Sequence, residues 1–84
     1  MRVLIIEDEE KTADYLHRGL TEQGYTVDLA RDGIEGLHLG LESDYAVIIL
    51  DVMLPGLDGF GVLRALRARK QTPVIMLTAR ENVD

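Results

Sequence analysis

The sequence predicts an α/β domain, a parallel sheet with helices on both faces, and three features carry that expectation. Val3-Leu4-Ile5-Ile6, Ala46-Val47-Ile48-Ile49-Leu50 and Val74-Ile75-Met76-Leu77 are continuously apolar and largely β-branched, as strands buried on both faces require. Between them, apolar residues recur at helical spacing: Ala13, Leu16 and Leu20; Ile34, Leu37 and Leu41; Phe60, Leu63 and Leu66. The connections are short, and β-α alternation with short connections implies parallel strands joined by right-handed crossovers.

Each element has its own local signal. After the first strand, the helix around Ala13–Leu20 meets Gly24, a C-terminal stop. Tyr25-Thr26-Val27-Asp28-Leu29-Ala30 alternates, as a strand with one more exposed face does. Asp32-Gly33 opens the second helix. Asp58 is placed to cap the third, with Arg67, Arg69 and Lys70 favourable in its last turn. Pro55-Gly56 is turn chemistry. No linker or repeat interrupts this order, so residues 1–84 form one domain.

Composition narrows the function. The net charge is −6, but residues 1–58 carry −9 and residues 59–84 carry +3. An acidic front half is a poor match for DNA. The basic cluster of Arg64, Arg67, Arg69 and Lys70 reads as a solvated helix face and C-terminal turn. The chain has no cysteine, which excludes disulfides, zinc ribbons and thiol catalysis. The four apolar residues after Arg2 fall well short of a membrane span of about 20 residues. A cytoplasmic protein with no membrane partner is expected.

Ligands of open α/β sheets bind beyond the carboxyl ends of the strands. Glu7-Asp8 follows the first strand, Asp51 the third and Thr78 the fourth. If the first and third strands are neighbours, the three carboxylates converge. At about 4 Å and an effective dielectric of about 20, each such pair costs about 4 kcal/mol. Either one group takes up a proton or a cation sits among them. An all-oxygen ligand set suits a hard ion such as Mg²⁺. A carboxylate at the end of a buried strand can also act as a nucleophile and form an aspartyl-phosphate. Taken singly, these residues have plainer explanations: Glu7-Asp8 as acids at a helix start, Asp51 as a turn residue, Thr78 as a strand end. It is the conjunction at three strand ends that points to a site. His17 and His38 are expected in solvent, and Met53 and Met76 in packing. No G-x-x-x-x-G-K-[ST] occurs, and Gly56, Gly59 and Gly61 do not make G-x-G-x-x-G. A haloacid-dehalogenase-like pattern would need Asp where Met53 stands.

VLIIEDEE, IILDVMLPGLDGFGVLRALR and PVIMLTA resemble the receiver domain of two-component response regulators, and the likeness runs from Arg2 onward. EDEEKTADYLHRGLTEQGYTVDLARDG is similar to the OmpR/PhoB class that answers to copper or other heavy metals. The resemblance implies a truncated flavodoxin-like fold of about four strands, order 2-1-3-4, with three helices. Asp51 then matches the phosphoacceptor that takes a phosphoryl group from a sensor histidine kinase. Asp8 matches the direct Mg²⁺ ligand, Glu7 its partner acting through water, and Met53 the residue whose main-chain carbonyl binds the metal. Thr78 matches the switch hydroxyl. The family's fifth strand, the Lys after it, the last two helices and a winged-helix DNA-binding domain have no counterpart in these 84 residues. An incomplete receiver is therefore expected, one that self-associates and reaches DNA only through a C-terminal domain lying beyond it. As an enzyme it would do no more than promote phosphorylation and dephosphorylation of its own Asp51. The alternatives are a small Mg²⁺-dependent phosphohydrolase and an inactive receiver fragment.

Overall fold

The computed structural model describes residues 1–77. Its elements run β1 (Arg2–Ile6), α1 (Glu10–Glu22), β2 (Thr26–Ala30), α2 (Gly33–Glu42), β3 (Val47–Asp51), α3 (Gly59–Arg67) and β4 (Val74–Leu77). All strand pairs are parallel and the order is β2-β1-β3-β4, as the resemblance implies.

Register divides the side chains between two faces. Leu4 lies beside Ile48 and Ile48 beside Val74, and Ile6 lies beside Leu50 and Leu50 beside Met76. This row packs with Leu37, Val62 and Leu66 of α2 and α3 into the main core. The alternate row, Ile5, Ile49 and Ile75, lies on the face of α1. Its cover thins across the sheet: Ile5 is fully buried, Ile49 half-buried, and Ile75 54% exposed. Among the described residues, β4 pairs only with β3.

The structure corrects the helical faces. Ile34 and Phe60 are exposed, although both open the apolar spacings read from the sequence. The inward positions are instead Gly33, Gly36 and Gly40 in α2, and Gly59, Val62 and Leu66 in α3. Glycine carries no hydrophobic signal, so a stripe built on it escapes an apolar count. Its bare Cα lets α2 sit close to the sheet: a Cβ on Gly36 would lie 2.5 Å from Ile6 Cδ1. The alternation expected of β2 is also muted, since Val27, Asp28 and Leu29 are all half-buried. Asp28 Oδ2 accepts hydrogen bonds from the Arg2 guanidinium and, at 2.7 Å, from the Tyr45 hydroxyl. The bond from Arg2 holds the Asp28 carboxyl below its ordinary range. Burial, helped by Asp28, pushes the Tyr45 phenol up to about 12.

The capping expectations hold at both ends. Asp58 Oδ1 accepts from Gly61 N at 2.9 Å, and α1 ends at Glu22, just before Gly24 at φ 95°. Lys70 does more than expected. Its Nζ donates to the Gly40 carbonyl at 3.1 Å and the Ser43 carbonyl at 2.8 Å. It thereby caps the C-terminus of α2, where a cation is favoured, and ties it to the end of α3.

Two glycine substitutions separate packing from helix propensity. Gly36→Ala is expected to destabilise the fold by about 1–3 kcal/mol through overpacking against Ile6. Gly19→Ala, mid-helix in α1 with nothing within 4 Å, should stabilise by about 0.5–1 kcal/mol. Urea unfolding midpoints measure both. Equal responses would rule out the close approach of α2.

Candidate functional site: an acidic pocket at the strand ends

Parallel pairing sends β1 and β3 out at the same sheet edge. Ile6 lies beside Leu50, so the next residues, Glu7 and Asp51, are neighbours. Asp51 is the last residue of β3 rather than the first beyond it. Glu7 N donates to the Ala30 carbonyl at 3.0 Å, which carries the ladder between β1 and β2 one residue further. The chain then turns into α1. Glu9 N donates to Glu7 Oε2 at 3.0 Å, holding the Glu7 side chain inward. Glu9 itself caps α1, accepting from Thr12 N at 3.2 Å and from the Thr12 hydroxyl.

The result is a graded pocket. Glu7 and Asp51 are 3% and 2% exposed, whereas Asp8 is exposed at the mouth. Carboxylate oxygens of all three lie within 4.8 Å of one another. Asp51 Oδ1 accepts the Met53 N–H at 3.1 Å, which fixes the rotation of that carboxyl group. Pro55 and Gly56, the latter at φ 71°, turn the chain back toward α3. Three carboxylates at this separation, two of them buried, form an all-oxygen donor set, and such a set fits a hard divalent cation.

The structure thus brings together Glu7, Asp8 and Asp51, as expected if β1 and β3 are neighbours. Met53 belongs to the turn beside Asp51, but its side chain is 60% exposed. The expectation that it packs is wrong, because the turn leaves the sheet and points this residue outward. Met76 is half-buried against the core. His17 and His38 are exposed, as expected. Thr78 lies outside the described residues. Sequence reasoning missed the Glu9 main-chain N–H that holds the Glu7 carboxylate; a donor that every residue but proline supplies leaves no signal in the sequence.

Fold and site together define a parallel α/β protein with an acidic, cation-suited pocket where β1 and β3 end. The chain belongs to the response regulator receiver domain family, which it matches over residues 3–84. It is 55% identical over 84 residues to the transcriptional regulatory protein HprR of Escherichia coli K12, covering 100% of this chain and 38% of that protein. It is 49% identical over 85 residues to CusR of the same strain, covering 100% of this chain and 37% of that protein. The chain therefore spans little more than a third of the curated relatives it matches. Among solved structures, TrrA of Thermotoga maritima, in complex with Mg²⁺–BeF, superposes with a TM-score of 0.87 at 35% identity. That match covers 93% of this chain and 69% of TrrA. Among the described residues, no helix is long and apolar enough to cross a membrane.

Removing one of the converging charges should relieve repulsion without breaking the turn. Asp51→Asn keeps Oδ1 as acceptor for Met53 N–H. In metal-free buffer it is expected to raise the thermal midpoint by about 4–8 °C, equivalent to about 1 kcal/mol in a domain of this size. A lowered midpoint would contradict the repulsive pocket.

Proposed function

We propose that this chain is a phosphoacceptor module of a two-component signalling system, with Asp51 as the residue that is phosphorylated. The observation that carries the reading is the buried Asp51 carboxylate within 4.8 Å of the Glu7 and Asp8 carboxylates. In this reading an Asp51 carboxylate oxygen attacks the phosphorus of a phosphohistidine. A new O–P bond forms, the histidine N–P bond breaks, and its electron pair returns to the imidazole nitrogen. The Met53 N–H holds the Asp51 carboxyl in one rotation, and burial keeps bulk water from the linkage once it has formed. Asp8, Asp51 and the Met53 main-chain carbonyl are the residues to hold Mg²⁺, with Glu7 acting through water. Bound there, Mg²⁺ supplies the positive charge that offsets repulsion between carboxylates and incoming phosphoryl oxygens. Thr78 is the hydroxyl assigned to the phosphoryl group afterwards.

The phosphoryl donor in this reading is a sensor histidine kinase, and the setting is the cytoplasm. The relatives are named as transcriptional regulators and extend well beyond this chain's length. Control of transcription, through a DNA-binding domain lying beyond these residues, is accordingly proposed for the whole protein. Copper or another heavy metal is the stimulus in this reading, on the strength of the resemblance carried by EDEEKTADYLHRGLTEQGYTVDLARDG. A phosphohydrolase acting on free substrates is disfavoured because Met53, not a second acid, stands two residues after Asp51.

Acetyl phosphate tests the assignment. With Mg²⁺, intact mass spectrometry should show one phosphoryl group per chain, absent from Asp51→Asn and reduced at least tenfold in Asp8→Ala. Multiple turnover without a labelled intermediate would favour the phosphohydrolase. Labelling that persists in Asp51→Asn would remove Asp51 from its role. Among the described residues, Ile75 is exposed and β4 pairs only with β3, which also supports self-association. Light scattering at micromolar concentrations should therefore give a mass above that of the monomer, and Ile75→Lys should restore the monomer. A monomeric parent chain would contradict this.

A further inference from the structure

We propose that Gly59, the first residue of α3, is a positioning residue for the acidic pocket: its bare Cα lets the turn after Asp51 fold back so that Met53 engages the Asp51 carboxylate. The inference rests on the reading of Asp51 as a Mg²⁺-assisted phosphoacceptor and deepens it. A Cβ at position 59 would lie 2.5 Å from the Asp51 carbonyl oxygen, 2.7 Å from Val52 Cα and 3.1 Å from the Asp51 carbonyl carbon. All three are backbone atoms, so no side chain can swing aside, and the phosphoacceptor's own main chain would have to move. Gly59 also closes the turn, its N–H donating to the Val52 carbonyl at 3.0 Å. Met53, the next residue, donates its N–H to Asp51 Oδ1 at 3.1 Å. The orientation of the Asp51 carboxylate and the placement of the Met53 backbone are thus set from the Gly59 side of the turn.

The far end of the same turn is fixed in a similar way. A Cβ on Gly33, the first residue of α2, would stand 1.9 Å from the Leu57 carbonyl oxygen. Two helix starts, remote in sequence, therefore press on one turn at sites where only glycine fits. Gly61 is the natural contrast. It lies in the same helix, but a Cβ there would meet only side-chain atoms, the nearest being Leu57 Cδ1 at 2.5 Å, and these can shift.

The test uses the ¹⁵N-labelled chain, calorimetric titration with Mg²⁺ and amide spectra of the metal-free state. Gly59→Ala is expected to weaken Mg²⁺ binding about tenfold or more, as loss of a supporting residue typically does, and to move the Met53 amide resonance before metal is added. Gly61→Ala should leave the affinity within about twofold of the parent and the Met53 resonance in place. If Gly59→Ala fails to fold, Gly33→Ala presses the same turn through the Leu57 carbonyl and should weaken Mg²⁺ binding in its stead. A folded variant with the parent's affinity overturns the proposal. If the parent itself binds no Mg²⁺, the phosphoacceptor reading fails. The Met53 resonance of metal-free Gly59→Ala then decides the positioning role alone: displaced supports it, unmoved overturns it.

Discussion

The pairing of β1 with β3 is the constraint from which the site follows. Parallel neighbours leave a sheet at the same edge, and the register that sets Ile6 beside Leu50 makes Glu7 and Asp51 adjacent. Side chains alternate along a strand, so a slip of one residue would break the packing of the Leu4, Ile6, Ile48 and Leu50 row against α2 and α3. Those four side chains are all but fully buried, and burial of each stabilises by about 1.5–3 kcal/mol. The hydrophobic row that specifies the register therefore also holds like charges where they would not gather unaided.

Charge is used differently at the two ends of the sheet. Near the amino ends of the strands opposite charges meet: Arg2 and Tyr45 both donate to Asp28, and Arg2 also lies 5.7 Å from the centre of the Tyr45 ring. Beside them, the Ala46 N–H donates to the Arg2 carbonyl at 2.8 Å, so this network fastens β1, β2 and the entry to β3 together. At the carboxyl ends, by contrast, three carboxylates share one pocket. Stability and chemistry are thereby kept apart, and the strained electrostatics of the pocket sit on strands held firmly at their other end. Lys70 contributes in the same way, joining α2 to the end of α3 through two carbonyls.

Much of this was legible in the residues themselves. Continuous β-branched runs marked the strands because strands buried on both faces leave no room for polar alternation. The carboxylates stood out because they followed those runs immediately. The helix faces were less legible: Ile34 and Phe60 looked inward by spacing, yet Gly33, Gly36 and Gly40 occupy the buried positions of α2 and Gly59 opens the buried face of α3. A glycine's contribution is the space it leaves, and that depends on what approaches it in three dimensions. Gly33, beneath the Leu57 carbonyl, and Gly59, against the Asp51 backbone, could be found only with the fold in hand. Lys70 was hidden for a related reason, since its partners on α2 lie roughly thirty positions away in the chain.

The convergence of Glu7, Asp8 and Asp51 is most directly examined by paramagnetic broadening with Mn²⁺, which oxygen-donor sites of this kind accept. At substoichiometric Mn²⁺, amide signals of residues 7, 8 and 51–53 should vanish first and together, while those of Arg2, Gly24 and Tyr45 stay sharp. Broadening spread evenly over the acidic surface, or confined to one of the two strand ends, would contradict a shared pocket.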